Sequence, residues 1–307
     1  MAPSDHGSPW HITRRNLIRQ GLCGALGLAL YSSEIERHWI EVNEREVALA
    51  GLPQVFDGMR IVQLSDIHLD EYTEPFFLRR VIDRVNEMNP DAIFLTGDFV
   101  TEILYPRRYA KTAFAIRARK FARGAAWQCA DMLRDLKCRE LYAIMGNHDL
   151  VVGATQVTEA LTTNGIRVLR NSFLPIERNG ERFWLAGLDD AVEGDPNPDL
   201  AVPPSIRNRP NEPVVLMCHA PDYVDVLRAH PAGQAVSLMM SGHTHGGQMR
   251  FPLVGAFHLP SWGRKYVEGW FRFGGLQLHV NRGIGTVGVP FRLNCPPEIT
   301  LMTLRTG

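Results

Sequence analysis

Five apolar runs in this chain each stop at residues of metal-ligand type. The run Ile61-Val62-Gln63-Leu64-Ser65 ends at Asp66, with His68 two residues on, and Ala92-Ile93-Phe94-Leu95 leads into Thr96-Gly97-Asp98. Residues 141–145 run into Gly146-Asn147-His148-Asp149, residues 214–218 into His219, and residues 238–240 into Ser241-Gly242-His243-Thr244-His245. A single end of this kind reads as a strand closing in a polar turn. Five are hard to explain that way, because a buried cluster of carboxylates and imidazoles needs compensating charge. A pair of metal ions supplies it. Mixed imidazole and carboxylate ligation suits manganese, iron or zinc, and the absence of cysteine from the set argues against a structural zinc site. A carboxylate bridge, flanking imidazoles and one neutral amide carry little ligand charge, which leaves the ions electrophilic toward a phosphate oxygen.

These ends require strands to position them. The pattern predicts a strand over 59–64, then a helix over 75–88 with Phe77, Val81, Val85 and Met88 along one face and Pro90 closing it. Strands follow over 91–95 and 141–145. Strand, helix, strand, long connection and strand imply βαβ crossovers and a parallel sheet, and ligands of such sheets gather at the carboxyl ends of the strands. The second half is richer in short strands, over 167–176, 182–188, 213–218, 235–240 and 276–280, with helices over 154–163 and 223–229. Residues 190–213, rich in Pro and Asn, read as a surface loop. Gly97, Gly146 and Gly242 each precede a ligand, where a sharp turn from strand to loop is needed.

The chain has 307 residues, with 33 Lys and Arg against 33 Asp and Glu, so no net field points to nucleic acid. Its five cysteines are odd in number and form no C-x-x-C pair, which argues against a disulfide framework. Near the N-terminus, Thr13-Arg14-Arg15-Asn16-Leu17-Ile18-Arg19 precedes a Gly-rich apolar run over 21–31. That run is shorter than the roughly 20 residues a membrane span needs. Basic residues before a short apolar stretch have signal-peptide geometry, and the paired arginines resemble a twin-arginine signal; an amphipathic cytosolic helix is the alternative. No clear A-x-A cleavage site follows, so the leader is able to persist as an anchor. Residues 1–45 are thus read as leader or membrane anchor plus linker, and residues 46–307 as one domain. A second local bias covers 103–130, where Arg107, Arg108, Lys111, Arg117, Arg119, Lys120 and Arg123 occur with no acid and with interleaved aromatic residues. It reads either as a solvated helix face or as a cap for an anionic substrate or anionic lipid headgroups.

In order and block for block, Asp66-x-His68, Gly97-Asp98, Gly146-Asn147-His148-Asp149, His219 and Gly242-His243-Thr244-His245 resemble the calcineurin-like metallophosphoesterases. Gly246-Gly247-Gln248 and the tail from Arg282-Gly283-Ile284-Gly285 through Pro290, Arg292, Pro297 and Glu298 resemble a bacterial branch. That branch holds membrane-associated phosphodiesterases and UDP-diacylglucosamine pyrophosphatases. The resemblance implies an α/β fold, a four-layer α/β/β/α sandwich of two mixed sheets flanked by helices. It implies one metal held by Asp66, His68 and His245, a second by Asn147, His219 and His243, and Asp98 bridging both. A hydroxide between the ions would attack phosphorus in line. His148 would contact the phosphoryl oxygen and protonate the leaving group, with Asp149 orienting it and favouring its imidazolium form. Arg282 and Arg292 would contact phosphate or pair with Glu298. The expected activity is hydrolysis of a phosphodiester or pyrophosphate bond in a small-molecule, lipid-linked or envelope substrate. A phosphomonoesterase such as a protein phosphatase is the alternative, and a non-catalytic scaffold is disfavoured because every ligand position is filled. The expected place is a membrane, outside the cytoplasm if the leader directs export, or on the cytoplasmic face, where UDP-linked lipid precursors are made, if it is only an anchor.

Overall fold

The computed structural model describes residues 13–70, 72–101, 113–209 and 211–307. Helix α1 (Arg14–Leu30) continues into a π-helical turn, Tyr31–Ile35, and a 3-10 turn, Glu36–His38. There follow β1 (Glu41–Leu49), β2 (Arg60–Leu64), α2 (Pro75–Met88), β3 (Ala92–Leu95), α3 (Ala113–Leu133), β4 (Leu141–Ala143) and α4 (Asn147–Thr163). The second half holds β5 (Arg167–Val168), β6 (Ser172–Arg178), β7 (Glu181–Gly187), the short helices α5 (Pro198–Ala201) and α6 (Pro204–Arg207), β8 (Val214–Met217), α7 (Val224–Ala229) and β9 (Val236–Ser241). The chain ends with β10 (Arg250–Phe251), β11 (Gly255–Ala256), β12 (Gly269–Phe273), β13 (Leu276–Val280) and β14 (Glu298–Thr306).

Two mixed six-stranded sheets result, in the orders β1-β14-β2-β3-β4-β5 and β12-β13-β9-β8-β7-β6. The strands β2, β3 and β4 pair in parallel, as do β7, β8, β9 and β13. Their period-two alternation buries both faces. Ile61, Phe94 and Tyr142 of the first sheet meet Leu185, Val215, Met217 and Met240 of the second in the inter-sheet core. Val62, Leu64, Ile93 and Leu95 face the other way, beneath α2 (Phe77, Val81, Val85) and α3 (Cys129, Leu133). On the far side, Val214, Leu216 and Met239 pack under α7 through Val224 and Leu227. The expected helix–sheet–sheet–helix sandwich is present, and the parallel strands of both sheets deliver their carboxyl ends to one edge.

Two expectations are corrected. The folded domain begins before residue 46: β1 starts at Glu41 and pairs in parallel with the C-terminal β14, Glu41 opposite Glu298. Upstream of it Glu36 is buried and accepts from the Cys295 N–H at 2.6 Å, while Arg37 bonds the Tyr72 carbonyl and the Glu74 carboxylate. Only α1, which buries none of its residues, stands apart. The strand expected over 167–176 is two strands, β5 in the first sheet and β6 in the second. The helix expected over 154–163 is present: it follows a kink at Gly153, at φ 141°, which separates it from the opening turns of α4 that start at Asn147. No described helix is long and apolar enough to cross a membrane. Arg107, Arg108 and Lys111 of the basic segment lie outside the described residues.

Candidate metal centre

Asp66 and His68 follow β2, Asp98 follows β3, Asn147 opens α4 after β4, His219 follows β8, and His243 and His245 follow β9. Five of these non-glycine residues adopt left-handed backbone: Asp66 (φ 49°), His68 (φ 47°), Asp98 (φ 57°), His243 (φ 71°) and His245 (φ 51°). Each such residue costs about 1–2 kcal/mol, and strain of this kind collects where side-chain placement matters more than local comfort. Cross-strand hydrogen bonds hold it in place, from Asp66 N–H to Gly97 O (2.9 Å), His68 N–H to Asp98 O (3.0 Å) and Gly285 N–H to Asp66 O (2.7 Å).

The side chains converge. Ligand atoms of Asp66, His68 and His245 lie within 4.8 Å of one another, and so do those of Asp98, His219 and His243. Asp98 lies between the groups, its Oδ2 at 3.4 Å from His68 Nε2 and 3.1 Å from His219 Nε2. Asp66 Oδ1 is 3.5 Å from His245 Nε2. His148 belongs with His68 and Asp98 in a third such group. Its backbone N–H donates to Asp98 Oδ1 at 3.0 Å and its ring stands edge-on to that of His68, centroids 4.9 Å apart.

Each imidazole is anchored by one nitrogen and offers the other. His219 Nδ1–H donates to Thr96 O (2.7 Å), His243 Nε2–H to Ser261 O (2.8 Å) and His245 Nδ1–H to Gly285 O (3.3 Å), while His68 Nδ1 bonds Thr101 Oγ1 (3.0 Å). A carbonyl only accepts, so it fixes the tautomer and leaves the opposite nitrogen with a lone pair facing the centre. His68 Nε2, His219 Nε2 and Asn147 Oδ1 are buried without a hydrogen-bond partner. Orphaned buried donor atoms of ligand type around a central carboxylate fit a pair of divalent cations.

Two of the three glycines have a reason other than turning. Gly97 does turn, at φ 97°. At Gly146 a Cβ would strike the Asp98 carboxylate, and at Gly242 it would strike Ser65 Oγ and the Asp66 carboxylate. Close approach of two ligand loops, not backbone conformation, excludes side chains there.

Asp149 has a different task from the one expected. Its carboxylate accepts from Asp98 N–H (2.8 Å), Phe99 N–H (2.9 Å) and Gly146 N–H (3.0 Å), so it fastens the Asp98 loop to the Asn147 loop. It is a positioning residue for the bridge. Burial, reinforced by the Asp98 charge, pushes it up to about 7 in the metal-free protein; bound cations reverse that push. The imidazolium of His148 is not favoured either. Burial, only partly opposed by Asp98, pushes it down to about 4.

Arg282 and Arg292 do not reach the centre's cavity. Arg282 pairs with Glu298 (2.8 Å) and Glu41 (3.1 Å). Arg292 is fully buried and donates to four backbone carbonyls: Cys295 (3.0 Å), Arg282 (2.9 Å), Gly283 (3.1 Å) and Gly285 (2.6 Å). Of the two expected alternatives Arg282 takes the pairing with Glu298 and Arg292 takes neither; these guanidiniums hold the 282–295 loop, whose Gly285 carbonyl anchors His245. Arg292→Ala is expected to lower stability by about 3 kcal/mol or more in urea unfolding of the metal-free protein, since each stranded buried acceptor costs about 1–3 kcal/mol. An unchanged midpoint with slowed turnover would return Arg292 to substrate contact.

Sequence reasoning passed over a sixth run. Residues 183–188 end at Asp189 and Asp190, both buried. Asp190 Oδ2 accepts from Val192 N–H (2.7 Å) and Glu193 N–H (2.8 Å), shaping the turn that places both residues on the cavity wall. The signal was the one used for the other five. His279 is buried and bonds Gln63 (2.8 Å), tying β13 of one sheet to β2 of the other.

A model of the calcineurin-like phosphoesterase family matches residues 59–247. The metallophosphoesterase YkuE of Bacillus subtilis is 32% identical over 308 residues, an alignment covering 96% of this chain and 98% of YkuE. The phosphodiesterase YaeI of Escherichia coli is 33% identical over 249 residues, covering 80% of this chain and 82% of YaeI. A transmembrane protein with metallophosphoesterase domain from Danio rerio is 30% identical over 281 residues, covering 86% of this chain and 57% of that protein.

Proposed function

Because the chain belongs to the calcineurin-like phosphoesterases, we propose that it hydrolyses a phosphodiester or pyrophosphate bond in a lipid-linked substrate of the UDP-diacylglucosamine kind. The enzyme is a metal-dependent phosphoesterase, and its Asp and His clusters make a centre for two divalent ions. One observation carries the lipid reading. The centre opens into a cavity of about 890 Å³ whose floor is Asp98, Asn147, His148, His243 and His245, and whose wall includes Leu69, Phe121, Met249, Phe257 and Val289. A wall of that kind gives an acyl chain apolar surface to bury, and Arg117 on the same wall offers charge to an anionic head.

In this reading Asp66, His68 and His245 hold one ion, Asn147, His219 and His243 the other, and Asp98 joins them. The ions, when bound, supply Lewis acidity toward a phosphoryl oxygen and acidify water. His148, fixed by its backbone bond to Asp98, presents its ring N–H to the phosphoryl and leaving oxygens. An arriving phosphate anion raises its proton affinity, so the proton is taken up with substrate and given to the leaving oxygen as the P–O bond breaks. The exposed helix α1, led by Arg14 and Arg15, serves as the membrane attachment.

The test compares metal-reconstituted enzyme on 4-nitrophenyl phosphate, on methyl and dodecyl 4-nitrophenyl phosphodiesters, and on UDP-diacylglucosamine. The dodecyl diester should exceed the methyl diester in kcat/KM by about 10–100-fold, as about two to three buried methylenes at about 0.8 kcal/mol each would give. Equal values for the two diesters would overturn the lipid reading, and a faster monoester would overturn the diesterase reading.

A further inference from the structure

We propose that the β10–β11 hairpin and the adjoining wall of α3 dock this enzyme on an anionic lipid bilayer, with the mouth of the cavity turned toward the membrane. The hairpin tip is the turn Phe251-Pro252-Leu253-Val254, closed by a bond from Val254 N–H to Phe251 O at 3.2 Å. Leu253 stands at its third position with φ 68°, where glycine or asparagine is the ordinary choice. It is 109% exposed and Val254 is 78% exposed. A β-hairpin thus bears backbone strain to hold two apolar side chains in solvent, which a water-facing turn has no reason to do.

The tip is continuous with the rim of the cavity. Phe257, just past β11, and Phe121 of α3 both line the cavity and are themselves 78% and 66% exposed; Val289, also on its wall, is 42% exposed. Scattered exposed hydrophobic residues need no explanation, but a contiguous set around a cavity mouth marks an interaction surface. Charge selects the partner. Residues 249–265 and 113–130, which supply wall residues on two sides of the mouth, contain no Asp or Glu. The described cations there include exposed Arg117, Lys120 and Arg264. Apolar tips set among cations are the pattern that inserts between anionic headgroups. A protein partner with an apolar, acidic face would be the alternative, and the test separates the two. Docking in this orientation places the acyl-accepting wall against the bilayer, so a lipid-linked substrate slides from membrane to centre without crossing water; that consequence rests on the function proposed above, whereas the docking does not.

The test uses the full chain with Cys23→Ser and Cys138→Ser, which leaves only buried cysteines, and a nitrobenzoxadiazole label on Leu253→Cys. Because the label reports the hairpin itself, attachment through α1 does not imitate the result. Vesicles of equimolar phosphatidylglycerol and phosphatidylcholine should shift its emission to the blue, with a weaker response to phosphatidylcholine alone. No shift, or an equal shift on both, overturns the proposal. In parallel, Leu253→Asp with Val254→Asp should lower hydrolysis of a vesicle-embedded phosphodiester by about tenfold or more while leaving a soluble diester unaffected. Equal rates on both substrates in the variant and parent, or an equal loss on both, also count against it. If the parent hydrolyses neither substrate, the enzymatic reading fails while the label still decides the docking.

Discussion

Asp98→Ala is expected to empty both metal positions and reduce hydrolysis to the level of chelated protein. The carboxylate is fully enclosed, and one of its oxygens faces His68 at 3.4 Å and His219 at 3.1 Å, the inner members of the two ligand groups. Among the described residues no other carboxylate is placed to join them: Asp66 lies with His245 on one side, and Asp149 is committed to three backbone N–H groups. Losing the Asp98 carboxylate would take a ligand from each of the two metal positions and leave no carboxylate between them to offset the charge of two cations. Asp98→Asn is the sharper variant, because the amide oxygen still accepts from the His148 N–H while the charge is gone. It should lose at least one ion while keeping the melting behaviour of the metal-free parent. Two bound ions in Asp98→Asn would show that the bridge is elsewhere.

His148→Ala is expected to keep both ions and lose turnover by about 10²–10⁴, the range for a missing proton donor. His148 stands in the same cluster as the ligands, yet the seven other ligand-type side chains make up two groups without it. Its ring lies on the cavity floor, where substrate arrives. A residue that protonates the leaving oxygen matters less when that oxygen leaves readily. The loss in His148→Ala should therefore be smaller for a 4-nitrophenyl ester than for an alkyl ester of the same phosphate. Equal losses for the two would reduce His148 to a positioning residue, and full activity would remove it from the reaction.

The centre was legible because metal ligation needs particular side chains at strand ends, and both features are local. Asp66, His68, Asp98, Asn147, His219, His243 and His245 all stop buried runs; the six acidic and imidazole side chains converge, and Asn147 lines the same cavity with its Oδ1 buried and without a hydrogen-bond partner. What fixes the imidazoles left no trace: Thr96, Ser261 and Gly285 act through backbone carbonyls, which any residue carries. The early start of the fold was equally hidden, since β1 is defined by pairing with β14 at the far end of the chain, and long-range register has no local pattern. Arg292 was misread for a general reason. An arginine in a glycine-rich loop looks like a phosphate contact, and only the tertiary structure shows four carbonyls already using it. For Asp149 the family resemblance implied a partner of His148, whereas the first turn of α4 aims its carboxylate back at the Asp98 loop.

The central claim is a two-ion hydrolytic centre built on Asp98. Its most direct test is the metal content of stripped protein titrated with manganese, read by mass spectrometry of the dialysed enzyme alongside hydrolysis of a soluble phosphodiester. The account predicts two ions per chain, with activity appearing as the second position fills. Full activity in chelated protein, or saturation at a single ion, would contradict it.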